Sequence, residues 1–153
     1  TARLEEKVVK NGVNATNFFP IYKFLLHLKA LQASLAGDSA GLLAGVEEAE
    51  RFRKKMGYWS SPFHLPYFLT EMAGLLMASD ASGTKAAALL DEALAYNPQY
   101  APALLKRARL WAAEGKAEDA GKALAAARTA LAGADPDLIL VKELAKAEGG
   151  RLP

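Results

Sequence analysis

The residues whose side chains are most able to do chemistry in this sequence are two histidines and a pair of serines. His64 lies in the loop-forming stretch GYWSSPFHLP, residues 57 to 66, together with Ser60 and Ser61. A serine nucleophile needs a histidine base oriented by a third group, which closeness in sequence does not provide. His27 lies in a largely apolar stretch, where we expect a partly buried packing or groove residue. We therefore predict no catalytic residues and a chain that is not an enzyme.

Metal and cofactor chemistry also has few ligands available. Two histidines and no cysteines are too few for a convincing zinc site. The sequence has no glycine-rich phosphate-binding motif of either common kind. We expect no metal and no cofactor. The absence of cysteine excludes disulfides but leaves two compartments open: we expect the cytoplasm, with the periplasm as the alternative.

The charge pattern argues against nucleic acid and membrane as partners. The formal net charge is only +2, whereas nucleic-acid recognition usually rests on a concentrated basic surface. A nucleic-acid binder remains the third function class, because Lys106, Arg107 and Arg109 lie close together on one predicted helix. The basic run at residues 51 to 55 is better explained as a cationic last helical turn. The most apolar stretch, residues 18 to 35, is interrupted by charges, so we expect no membrane span. The chain starts at Thr1, and we expect a fragment or a processed form.

Hydrophobic spacing predicts helices throughout and no strands. Of 153 residues, 52% are apolar, enough for a buried core in one domain. Apolar residues three and four apart, with capping signals at Asp38 and Asp135 and proline near Pro102, set the boundaries. The predicted helices cover about residues 1–10, 18–36, 39–56, 62 or 66–79, 84–96, 102–114, 117–132 and 136–148.

The stretch from residue 86 to 127 shows an internal repeat. A shift of thirty-four residues aligns Gly74 with Ala108, Ala86 with Ala120, Leu90 with Leu124, and Ala93 with Ala127. Three of these four aligned pairs consist of small residues, and the remaining pair is leucine. A looser shift of forty-four residues aligns Ala30, Leu42, Val46 and Ala49 with Gly74, Ala86, Leu90 and Ala93.

This pattern resembles the tetratricopeptide repeat (TPR) family, whose period is thirty-four residues. Asn97-Pro98 and Gly115 match the family's proline after the second helix and its glycine between helices, whereas Arg107 replaces an expected apolar residue. The resemblance implies an all-α fold of antiparallel helical hairpins stacked as a right-handed TPR-like solenoid. It divides the chain into an N-terminal segment at 1–17, units at 18–66, 67–100 and 101–134, and a C-terminal capping helix at 136–148. The long first unit is similar to those of bacterial regulators.

The resemblance also implies a function, a non-catalytic scaffold that binds protein or peptide. In the family, the first helix of each unit lines a concave groove, and the residues transferred to it are Phe24, His27, Leu31, Leu35, Phe68, Glu71, Leu75, Leu105 and Arg109. We expect this groove to be largely apolar and to take an amphipathic helix or an extended segment. The carboxylate clamp of some family members has no match, since its places hold Leu31, Leu75 and Arg109.

Three alternatives stay open at this point. In the first alternative, residues 1–13 or neighbouring repeats outside this chain fill the groove in place of a partner. In the second, the domain is a regulatory or sensory module of a larger bacterial signalling or transcription-regulating protein. Finally, an uncapped solenoid end exposes apolar surface, which favours a homo-oligomer.

Overall fold

The computed structural model describes residues 15–56 and 64–149 of the chain, and within these ranges it is helical without strands. The expected all-α class is therefore confirmed for the described residues. The seven helices there are α1 (Ala15–Leu35), α2 (Ser39–Met56), α3 (His64–Ala78), α4 (Gly83–Tyr96), α5 (Ala101–Ala113), α6 (Ala117–Ala130) and α7 (Ile139–Glu148). The helix predicted at 1–10 lies outside the described residues. None of the described helices has both the length and the apolar character of a membrane span.

The chain divides into two compact units, Thr1–Tyr58 and Trp59–Pro153. In the first unit, α1 packs against α2. The turn between them contains Gly37 at φ +69°, a left-handed conformation that glycine adopts without strain. The carboxylate of Asp38 accepts a hydrogen bond from the Gly41 N–H at 2.8 Å, so the predicted cap of α2 is confirmed.

The buried face of α1 is narrower than the spacing predicts. Among residues 24–35 of α1 the buried side chains are Leu25, Leu26 and Ala30, and among residues 39–54 of α2 they are Leu42, Val46 and Ala49. Helices in contact bury only the stripe that faces the partner, and α2 is the neighbour that α1 has within this unit. Phe24, Leu28 and Leu35 are exposed.

The second unit consists of two successive helical hairpins followed by α7. The α3 helix packs against α4, and α5 packs against α6. The hairpins meet through contacts of α5 with α4 and α3, while α7 contacts α5 and α6. The side chain of Ser82 caps α4 by accepting a hydrogen bond from the Lys85 N–H at 3.2 Å. Pro102 lies in the first turn of α5, as predicted.

Most of the repeated small residues lie in the core of this unit. Ala86, Ala93, Ala108 and Ala127 are fully buried, and Ala120 is 5% exposed. Ala108 joins Leu104, Leu105, Ala123, Ala127 and Leu144 in a single hydrophobic cluster. Alanine at these positions lets helix backbones approach closely while still excluding water.

The α7 helix begins later than predicted. The spacing predicts a start at Pro136 with Asp135 as the cap, but α7 begins at Ile139. The Asp135 carboxylate instead accepts a hydrogen bond from the Asp137 N–H at 2.8 Å. This is an Asx turn, a local bond that competes with helix initiation. Likewise, α6 ends at Ala130, before the predicted residue 132.

Ala93→Arg should prevent the second unit from folding, because an unpaired charge would replace a methyl group that is fully buried. Ala88→Arg, on the exposed side of the same helix, is the matched control. We expect the cooperative thermal transition, followed by circular dichroism at 222 nm, to be lost in Ala93→Arg and kept in Ala88→Arg. A melt of Ala93→Arg that equals that of the control would contradict the helix packing described above.

Candidate functional site

A cleft of about 230 Å³ opens between α3 and α5 in the second unit. It is lined by Gly74, Met77 and Ala78 from α3 and by Lys106 and Arg109 from α5. We refer to these five residues as the α3/α5 cleft. Two of the five residues are cations and none is acidic, so the cleft is electropositive. It therefore differs from the largely apolar groove that the sequence predicts.

Gly74 creates the space in which the Lys106 side chain lies. A β-carbon at position 74 would be 2.9 Å from Lys106 Nζ and 3.3 Å from its Cε, and the three nearest atoms all belong to Lys106. The closest contacts at Gly74 therefore come from α5 and not from its paired helix α4. Glycine in a helix interior costs about 1 kcal/mol relative to alanine. At position 74, the missing side chain leaves the space that the end of the Lys106 side chain occupies.

Arg109 is held by a weak contact and keeps an unused donor. Its Nη2 lies 3.5 Å from the Oε2 atom of Glu143 on α7, longer than a strong charge-assisted hydrogen bond. Its Nε is buried without a hydrogen-bond partner. A buried donor without an acceptor is unfavourable. The guanidinium thus has hydrogen-bonding capacity that the fold itself does not satisfy.

Two tyrosines and a glutamate lie on the first half of α3 and immediately before α5. Burial raises the pKa of the Tyr100 phenol above its usual value near 10, and the negative charge of Glu71 and the neighbouring Tyr67 raise it further. Tyr67 is 49% exposed and Tyr100 is half-buried. Because Tyr67, Glu71, Gly74 and Ala78 are spaced four, three and four residues apart, they share one stripe of α3. The cluster therefore continues the surface of the α3/α5 cleft.

Arg107 is buried against α4. It occupies a position where the repeat pattern predicts an apolar residue. Its Nε and Nη2 donate to the two carboxylate oxygens of Asp91 at 2.7 and 3.1 Å. The guanidinium carbon lies 4.3 Å from the ring centroid of Trp111, a cation–π contact. Only 9% of Arg107 is exposed. It is thus a packing residue that joins the two hairpins, and its burial removes it from the basic group proposed for nucleic acid.

The predicted groove residues of the second unit separate into two groups. Phe68 is 1% exposed and Leu105 is 2% exposed, so both side chains belong to the core and are not a groove surface. Glu71, Leu75 and Arg109 are partly exposed. Of the predicted set, Arg109 alone lines the cleft described here. The sequence analysis missed Gly74, Met77, Ala78 and Lys106. Two signals were visible in the sequence, a glycine inside a predicted helix and a lysine one turn from Arg109.

The predicted groove residues of the first unit all lie on α1. Phe24 is 69% exposed and Leu35 is 82% exposed, while His27 and Leu31 are half-buried. Together with Leu28, which is also exposed, Phe24, Leu31 and Leu35 form one apolar stripe, because their spacings are four, three and four residues.

The structure describes the two histidines but not the two serines. His64 is the exposed first residue of α3, and Ser60 and Ser61 lie outside the described residues. Within 15–56 and 64–149, no group of three or more histidine, aspartate or glutamate residues is placed to hold a metal ion.

Comparison with known proteins gave no relative. No protein-family model matches the chain, and neither the curated proteins nor the solved structures contain a match to it.

Asp91→Asn should lower the free energy of unfolding by about 1–2 kcal/mol, because it leaves the buried Arg107 guanidinium without its counter-ion. The value is at the low end because the Asp91 side chain is 55% exposed. Asp119→Asn, on the exposed first turn of α6, should cost about 0.5 kcal/mol or less. Urea unfolding of both variants measures the difference, and equal midpoints would show that Arg107 does not depend on Asp91.

Tyr100 should titrate above pH 10, and Glu71→Gln should bring its pKa closer to 10 by removing the nearby negative charge. The chain has five tyrosines, so the absorbance titration of Tyr100→Phe at 295 nm is subtracted from that of the wild type to isolate Tyr100. Since the folded state keeps this proton to higher pH than the unfolded state, the associated stability is intact below about pH 10 and is lost as pH rises through the folded pKa. If the titration midpoint of Tyr100 is unchanged in Glu71→Gln, the charge of Glu71 does not act on Tyr100.

Proposed function

We propose that the chain is a TPR-like solenoid that serves as a non-catalytic scaffold and binds a peptide or a segment of a partner protein. The internal repeat supports the fold assignment, because Ala86 and Ala93 and their counterparts Ala120 and Ala127 are all buried or nearly so. The succession of hairpins in the second unit also agrees with stacked repeats, since α5 contacts both helices of the preceding hairpin. The right-handed stacking of all three units is part of the proposal.

The directions of α3 and α5 support the same assignment. In the middle of α3 lies Glu71, whose charge acts on Tyr100, the residue immediately before α5. Later in α3, Gly74 is next to Lys106. The order of these two pairs along the chain is the one expected if α3 and α5 run in the same direction. In stacked helical hairpins, equivalent helices of successive units are parallel neighbours.

The observation that carries the functional proposal is the α3/α5 cleft. It lies between equivalent first helices, which in the TPR family line the concave recognition surface. Its volume of about 230 Å³ is below the roughly 300–1,000 Å³ typical of sites that enclose a small molecule. A cleft of this size suits one side chain of a longer ligand. The partly exposed tyrosines beside it belong to a residue type that is enriched at protein interfaces.

The proposal is tested by selecting binders from a display library of random capped peptides against the whole chain. We expect enriched peptides whose affinity falls about tenfold or more in Ala78→Trp, since an indole at this exposed position fills the cleft. Ala88→Trp, an exposed alanine on α4, is the matched control and should bind as the wild type does. Absence of enrichment, or equal binding to both variants, would refute a peptide site at this cleft.

A further inference from the structure

We propose that the group bound in the α3/α5 cleft is a side-chain carboxylate of an acidic peptide segment, held between Lys106 and Arg109. This inference rests on the proposed peptide-binding function and specifies the chemistry of the partner. The other lining residues, Gly74, Met77 and Ala78, carry no charge. Two cations therefore face a cleft whose own lining supplies no anion, and the surface complementary to it is negatively charged.

Lys106 is available to such a ligand. Among the residues that the structure describes, none forms a hydrogen bond or an ion pair with its ammonium group. Its side chain is partly buried and lies across Gly74, so it is already placed at the cleft before a ligand arrives. Such preorganisation reduces the side-chain entropy that binding would otherwise lose.

Arg109 provides the second cation, and its present partner satisfies it incompletely. The contact with Glu143 is long, at 3.5 Å, and it uses one Nη atom. Arginine binds carboxylates best through two parallel hydrogen bonds, which Glu143 does not provide. A ligand carboxylate in the cleft would supply acceptors that the fold lacks.

Gly74 is an independent indication that the position of Lys106 matters. Alanine at this position would favour the helix more than glycine does. The nearest obstacle to its β-carbon is the flexible end of Lys106, which can move at little cost. Fold stability alone therefore favours alanine, whereas glycine keeps the ammonium group where it lies over α3.

Two acidic residues lie near the cleft, and the contact with Glu143 offsets part of the charge of Arg109. Glu71 acts on Tyr100, and Glu143 contacts Arg109 from α7. Neither lines the cleft. The neighbouring surface of Tyr67 and Tyr100 allows a bound chain to continue past the cleft, which is why we assign the carboxylate to an internal aspartate or glutamate and not to a chain terminus.

The test measures binding of a fluorescent capped peptide of alternating leucine and glutamate to the full chain by anisotropy, beside a matched capped leucine and glutamine peptide. We expect the glutamate peptide to bind about tenfold more tightly at low salt and to lose this advantage as salt screens the charges. Lys106→Gln and Gly74→Ala should each weaken it about fivefold. Lys122→Gln, which changes an exposed lysine on α6, should leave it unchanged.

Gly74→Ala also separates recognition from folding. Its thermal midpoint should equal or exceed that of the wild type while its affinity for the glutamate peptide falls, a combination that a merely structural role does not produce. Equal affinity for the two capped peptides, or insensitivity to Lys106→Gln, would overturn the carboxylate assignment.

Two further outcomes distinguish the claims. If Ala78→Trp still abolishes binding of the library-selected peptides but those peptides show no preference for acidic residues, the peptide site is supported and the carboxylate inference is wrong. If the glutamine peptide with a free carboxyl terminus binds as tightly as the capped glutamate peptide, the site takes a chain terminus, and the assignment to an internal side chain is wrong.

Discussion

The ion pair between the buried Arg107 and the partly exposed Asp91 fixes how α5 packs against the preceding hairpin. Because Arg107 points toward α4 and pairs there with Asp91, the rotation of α5 about its own axis is set, while the contact of Arg107 with Trp111 lies within α5 itself. Successive helical residues are about 100° apart, so Lys106 and Arg109 are directed to other sides, and both line the cleft with α3. A charge buried for packing thus determines where the exposed charges lie.

Local signals in the sequence predicted most of the described helices, because the chemistry that ends a helix acts over a few residues. The Asp38 cap and Gly37 lie between two helices whose order was expected, and Pro102 marks the start of α5. The start of α7 was missed for an equally local reason. Asp135 has two competing uses, a helix cap or an Asx turn, and the spacing alone does not decide between them.

The candidate site was less predictable, because it depends on contacts between residues distant in sequence. Residues transferred from the family's average face included Phe68 and Leu105, which the actual packing buries. The departure at Arg107 was visible in the sequence, and a charged residue at a core position requires a partner. Which acid supplies it, sixteen residues away, follows only from the way α4 meets α5.

The attachment of α7 has a consequence for how the chain opens. This ten-residue helix is held to its neighbours by Leu144 in the hydrophobic cluster and by ion pairs from Arg109 and Arg128. Partly exposed ion pairs stabilise little, so the free energy of detaching α7 is smaller than that of global unfolding. Its amide protons then belong to a separate exchange unit, released by a sub-global opening that uncovers Ala123 and Ala127 while the remaining hairpins stay folded.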